Sequence, residues 1–233
     1  MPSAPAIAKN LRETRELMDL ACQRAGRRPE SVRLLAVSKT FAADDVAAAH
    51  AAGQTAFGEN YVQEGVAKVA ALAALGLEWH FIGPIQSNKT RPIAEHFSWV
   101  HSIDRLKIAE RLSAQRPAHL PDLQVCLQVN ISGETSKSGI ESAAILRLAR
   151  EVAALPRLRL RGLMTIPRPA ATLAEQRAPF RELRLLLEAI NAAGIGCDTL
   201  SMGMSADLEA AILEGATIVR VGTAIFGARS ATG

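Results

Sequence analysis

Apolar residues along this chain follow two rhythms that take turns. Short runs rich in β-branched and aromatic residues predict strands at Arg33–Ser38 (RLLAVS), Thr55–Gly58, Glu78–Ile82 (EWHFI) and Trp99–Ser102. The same pattern predicts strands at Leu123–Asn130 (LQVCLQVN), Leu158–Met164 (LRLRGLM), Thr199–Met202 and Ile218–Gly222 (IVRVG). Between them apolar positions return every three or four residues. That spacing predicts amphipathic helices at Ala43–Ala52, Val62–Ala74, Arg105–Arg116, Ser142–Ala154, Arg181–Ala193 and Asp207–Glu214. Lys89–Phe97 reads as a shorter helix.

Strands separated by helices pair in parallel, because each crossover helix returns the chain to the same end of the sheet. Eight such units in 233 residues predict an α/β fold, a single-domain (β/α)8 TIM barrel at the small end of its size range. The alternative is a doubly wound open sheet. No strand here is followed by G-x-G-x-x-G, and a count of eight suits closure. No repeat or Pro/Gly/Ser-rich linker divides residues 1–233, so they are read as one domain. An extra N-terminal helix is expected over Ile7–Arg24, with Ile7, Leu11, Leu17, Met18 and Ala21 available for one face. The stretch IFGARSATG after the eighth strand leaves no room for a full helix, so the N-terminal one is predicted to cover the wall beside that strand.

Composition narrows the function classes. Hydrophobic residues make up 48% and charged residues 21%, ordinary for a soluble globular protein. No apolar run approaches the ~20 residues of a membrane span, and the first residues lack the pattern of a secretory signal. Cys22, Cys126 and Cys197 are far apart with no C-x-x-C spacing. That argues against a disulfide framework or a metal site and for a reducing, cytoplasmic location. The net charge is +4 with both signs interspersed and aromatics at 4%, which gives nucleic-acid binding no support. The basic excess fits a solvated mixed-charge surface or an anionic ligand, and a monomer is the expectation.

Chemistry is then sought where a parallel barrel builds its sites, at the C-terminal ends of the strands. The first strand delivers Val37-Ser-Lys-Thr40. If Leu35 and Val37 line the barrel, Lys39 shares their face and projects into its mouth. There it either snorkels to solvent or, desolvated, becomes a nucleophilic amine suited to Schiff-base chemistry. After the seventh strand comes Ser201-Met-Gly-Met-Ser205, with Ser205 where a helix N-cap would sit. After the eighth comes Arg220-Val-Gly-Thr223, whose Gly222 lets the main chain come close and whose Thr223 adds a hydroxyl. Barrels commonly hold phosphate between these two loops. Arg220 should face the interior, where it pairs with a carboxylate such as Glu59 or faces a ring nitrogen of a ligand. A lysine, a phosphate cradle and a ring-nitrogen partner are the contacts that pyridoxal 5′-phosphate needs. Asn60, His80 and Asn130 are further candidates for the mouth, with Met164 as an apolar wall. The stretch GPIQSNKT (83–90) misses the phosphate-binding G-x-x-x-x-G-K-[ST] by Asn88, and is read as a barrel loop with Gln86, Asn88 and Lys89 near the rim.

With these residues in place, the chain closely resembles the pyridoxal phosphate homeostasis protein family (YggS/PROSC). The strings that carry the resemblance are LLAVSKT, FGENYVQE, WHFIGPIQSNK, HSIDR, VNISGETSKSG, LRGLMTI, LSMGMSADLEAAI and VRVGTAIFGAR, in order from Leu34 to Arg229. The resemblance implies a barrel like the amino-terminal domain of alanine racemase, with this vitamin B6 cofactor on Lys39 as a Schiff base. It implies phosphate contacts from Ser205, Gly222 and Thr223, Arg220 at the ring nitrogen, and Ser201 beside the ring. Lys137 matches a family lysine outside the core site. The implied function is intracellular handling of the cofactor, affecting amino-acid and keto-acid balance, without strong turnover and with no catalytic residue assigned. Pyridoxal-dependent apoenzymes are possible recipients of the cofactor. The alternative is a single-domain racemase or lyase. A two-base racemase borrows a tyrosine from a second domain, whereas the one tyrosine here is Tyr61.

Overall fold

The computed structural model describes residues 3–133 and 138–228. Eight parallel strands close into a barrel in chain order: β1 (Arg33–Val37), β2 (Ala56–Glu59), β3 (Glu78–Phe81), β4 (Trp99–Ile103), β5 (Leu123–Gln128), β6 (Leu158–Met164), β7 (Thr199–Ser201) and β8 (Ile218–Val221). Closure is made by β1 against β8, where Leu35 pairs with Arg220 and Ala36 with Val221. Every predicted strand forms, each within two residues of its expected end.

Alternation along these strands divides the core in two. One set of side chains packs outward against the helices and forms the large apolar layer. The other points along the barrel axis, where Leu35, Val37, Ala56, Ile82, Trp99, Cys126, Met164 and Ile218 pack together. Leu35 and Val37 therefore do line the barrel, the parity on which the placement of Lys39 depends.

The helices are α1 (Ala4–Arg24), α2 (Ala43–Ala51), α3 (Val62–Ala71), α4 (Thr90–His96), α5 (Leu106–Gln115), α6 (Ile145–Ala153), α7 (Leu173–Ala192), α8 (Leu208–Leu213) and α9 (Thr223–Phe226). The amphipathic α1 lies where predicted, against α8, α9 and α2. Asn10 Nδ2 donates to the Ile225 carbonyl at 2.9 Å, and Arg24 reaches Glu209 at 2.6 Å. Its buried face is Ile7, Leu11, Thr14, Met18, Ala21 and Cys22. Leu17, expected on that face, is turned a quarter-turn away and is exposed.

α7 begins eight residues before the predicted Arg181. A capping box between Thr172 and Glu175 starts it, and the helix continues through Pro179. The proline sits far enough into the sequence to look like a boundary. In the fold the helix tolerates its missing N–H because Phe180, Leu183, Leu187 and Ile190 are buried against the barrel.

Candidate functional site

At the C-terminal mouth of the barrel lies a cavity of about 270 Å³. Lys39, Asn60, Ser205, Arg220, Gly222 and Thr223 line it, with Val37, Phe41, Ile82 and Ile166 as apolar walls. Lys39, Asn60, Ser205, Arg220, Gly222 and Thr223, all singled out from the sequence, thus meet at one place.

A tight turn presents Lys39. The Phe41 amide donates to the Ser38 carbonyl at 3.1 Å, closing the turn around Lys39 and Thr40. Thr40 is held at φ 68°, a left-handed conformation that a β-branched residue avoids. Its amide N–H is secured by Glu64 Oε1 at 2.5 Å, and Glu64 in turn accepts from Lys68 at 2.6 Å. Lys68, almost fully buried, also donates to the Ser38 carbonyl at 2.7 Å and to Glu59 at 2.8 Å. The Ser38 hydroxyl completes the network by donating to Glu59 at 2.6 Å. Burial raises the Glu59 carboxyl pKa even though Lys68 and Ser38 act to lower it. The lysine-bearing turn is therefore clamped from behind by α3 and β2.

On the other side of the cavity the β7 and β8 loops approach. Gly203 has φ 94°, and a Cβ there would lie 2.5 Å from that of Ala211. The chain can then bend back across α8. A Cβ on Gly222 would lie 3.1 Å from the Val37 carbonyl oxygen, so glycine keeps β8 close to β1 at the rim. Ser205 and Thr223 are both exposed at the cavity. The first amides of a helix such as α9 have no intrahelical carbonyl to bond and are available to a ligand. The helix cap differs from expectation: Asp207, not Ser205, is the N-cap of α8, and its Oδ1 accepts from the Met204 amide at 2.6 Å. Ser205 sits in the turn before the helix, with its hydroxyl released from capping.

Arg220 forms the floor and is 4% exposed. Its Nη1 donates to Ser201 Oγ and its Nη2 to the Thr165 carbonyl, both at 2.8 Å. Burial pushes its pKa down to about 10, with the charge of Asp207 opposing, so it stays protonated at neutral pH. Among the described residues no carboxylate stands within ion-pair distance of it. Glu59, the internal carboxylate considered for it, is engaged instead by Lys68 and Ser38. A buried cation held by neutral acceptors fits a ligand acceptor above it. Asn60 supplies a second such signal, because its Oδ1 is buried without a partner among the described residues.

Ser201, His80, Asn130 and Met164 do not line the cavity. Ser201 is fully buried beneath Arg220, and His80 lies deeper, in the barrel's middle layer, paired with Gly58 across β2 and β3. Position 80 lies two residues short of the rim residue Ile82, so the histidine faces the axis rather than the mouth. Asn130 lines an adjoining recess with Asn60 and Gln128, and Met164 belongs to the interior apolar cluster. Gln86 and Lys89 line a groove beside the mouth, which they share with Asn60. Gly83, the first glycine of the near-miss loop, has the Asn60 main chain against it, where any Cβ would collide. Lys137 lies outside the described residues. Glu78, His101, Thr165 and Asp207, all in contact with the site or its supports, were not singled out from the sequence. His101 stands inside the quoted string HSIDR, but its meaning depends on which strands it faces.

The family model for the N-terminal domain of alanine racemase matches residues 4–230. The pyridoxal phosphate homeostasis protein of Pseudomonas aeruginosa is 64% identical over 223 residues, covering 96% of each chain. The structure of PipY from Synechococcus elongatus with pyridoxal phosphate bound is 39% identical, with a TM-score of 0.83 over 95% of this chain and 100% of that one. Alanine racemase from Corynebacterium glutamicum shares the fold at 19% identity and a TM-score of 0.67, and 61% of its chain is covered.

Proposed function

The chain belongs to the alanine racemase N-terminal domain family, and we propose that it is a pyridoxal 5′-phosphate-binding homeostasis protein whose cavity is the cofactor site. The observation that carries this reading is the convergence of Lys39 and Arg220, one amine and one buried guanidinium, on a single cavity. That cavity's remaining polar edge is Ser205, Gly222 and Thr223. When bound, the cofactor supplies an aldehyde that condenses reversibly with an amine, and a dianionic phosphate. Lys39 provides the amine from its clamped turn. Ser205 and Thr223 provide hydroxyls and the loop amides provide N–H donors, while Gly222 leaves room for the main chain to come close. Arg220 donates toward the ring nitrogen and, being cationic, disfavours protonation there.

Handling of the cofactor, rather than robust turnover, is the role assigned. Its support is the naming of the relatives and the absence of a second base at the cavity among the described residues. Tyr61 is 54% exposed and lines the neighbouring groove, not the cavity.

The test is reduction of the purified protein with borohydride after incubation with pyridoxal phosphate, followed by peptide mapping. Label is expected on Lys39, with bleaching of a visible band, and Lys39→Ala is expected to lose both. Label persisting at full stoichiometry on that variant would move the site to another lysine. Incubation with L- and D-amino acids tests the second half of the reading, which turnover at ordinary enzyme rates would overturn.

A further inference from the structure

A file of hydrogen bonds runs through the barrel interior from its far end to the cavity floor. At the bottom, Glu78 Oε1 accepts from Arg33 Nη1 at 2.6 Å and faces His80 Nε2 at 2.6 Å. His80 Nδ1 lies 2.8 Å from His101 Nε2, and His101 Nδ1 lies 2.7 Å from Ser201 Oγ. Arg220 Nη1 meets the same Ser201 oxygen at 2.8 Å. β3 places Glu78 and His80, β4 places His101, β7 Ser201 and β8 Arg220. His80, His101 and Ser201 have no solvent exposure.

The two ends give the file a direction. A guanidinium can only donate and an ionised carboxylate can only accept. Arg220 donates to Ser201 Oγ, and among the described residues His101 Nδ1 is the one acceptor within reach of that hydroxyl, so its own hydrogen goes there. His101 then carries its proton on Nε2 and passes it toward His80 Nδ1, and His80 carries its own on Nε2, toward Glu78. Both imidazoles are neutral. A second proton on either would set donor against donor at Nδ1, and burial independently lowers the pKa of both rings. The charged groups that face these rings are Glu78 and Arg33 below and Arg220 above, with the His80 ring stacked on Trp99 at 5.3 Å. Packing alone would account for the stacking, but it does not require five polar side chains in register.

We infer that His101, His80 and Glu78 are positioning residues for the cavity, a one-way donor file that turns the Ser201 hydroxyl's lone pairs onto Arg220 and holds that guanidinium at the floor. The consequence for ligand binding rests on the cavity being the pyridoxal phosphate site, whereas the tautomers are properties of the protein alone.

The experiment therefore has two arms. Histidine side-chain nitrogens of the ¹⁵N-labelled, ligand-free protein are read by NMR from about pH 8 to about pH 6, across the range where an ordinary histidine titrates. Both rings are expected to show a bare Nδ1 and a protonated Nε2 throughout. A protonated Nδ1 on either ring overturns the inference. In the second arm, His101→Asn keeps an acceptor for Ser201 and His101→Leu removes it. Pyridoxal phosphate retention is expected to fall about tenfold or more in the leucine variant, with a shifted absorbance band, and to stay within about threefold of wild type in the asparagine variant. Equal loss in both, or none in the leucine variant, overturns it. Wild-type protein that does not bind pyridoxal phosphate refutes the cavity's ligand, while the tautomer pattern stands or falls by itself.

Discussion

At the scale of residues, the cavity is assembled from groups whose neighbours decide what they can do. Ser205 stands in the turn before α8, at the cavity, because the helix starts two residues later, with Asp207 at the N-cap position. Thr223 opens α9 beside Gly222, where a side chain would press on the Val37 carbonyl. Ser205→Ala and Thr223→Ala are each expected to weaken pyridoxal phosphate retention by about 1–3 kcal/mol, through lost hydrogen bonds to the phosphate. Equilibrium titration checks this, and unchanged affinity in both variants would put the phosphate elsewhere. These positions were legible in the sequence because strand ends of a barrel are known in advance to face one mouth. His101 was not, since alternation along one strand says which face a residue takes but not which residues meet it there. That required the register of β3, β4 and β7 together. The same limit misplaced His80, read at the mouth and found a layer below it.

At the scale of elements, the pair β2–α3 does more than continue the barrel. Glu59 at the end of β2 and Lys68 on α3 are both buried, and between them they hold the turn that carries Lys39. Lys68→Met leaves Glu59 charged without its partner. A loss of about 3–5 kcal/mol is expected from that alone, measurable by denaturant unfolding. Combining Lys68→Met with Glu59→Gln is expected to recover a large part of it. Additive losses in the double variant would show that the two side chains are not coupled. Strands and most helices could be read from periodicity, because each buries a continuous face. The start of α7 could not, since Pro179 reads locally as a stop and only burial of the following turns carries the helix through it.

At the scale of the whole molecule, the barrel interior carries a pH dependence. Below about pH 6.5 the imidazoles of the unfolded chain take up protons, while His80 and His101, lowered by burial, stay neutral in the folded one. Their contribution is therefore complete above that pH and lost as pH falls, by ~1.4 kcal/mol per pH unit for each ring. Glu59, whose pKa is raised, works in the opposite sense, one proton against two. Glu78 adds to the loss only at lower pH. Burial would raise its carboxyl, but the hydrogen bond from His80 and the charge and hydrogen bond of Arg33 oppose this and hold it below the usual carboxylate range. The thermal midpoint is expected to drop between pH 7 and pH 5. A flat profile there would mean that the rings titrate normally.

α1 occupies the wall between α2 and α8, and its contacts include Ile225 and Glu209, about 200 residues further along the chain. A ribosome makes this helix long before the α8 and α9 part of its docking surface. Through nearly all of synthesis, the apolar stripe of Ile7, Leu11 and Met18 has α2 but neither α8 nor α9 to pack against, and β1 has no β8 to close against. Such a stripe is the kind of surface that nascent-chain chaperones hold. Nascent chains arrested before β8 emerges should therefore remain cleavable within α1, and become resistant only once β8 and α9 are free to fold.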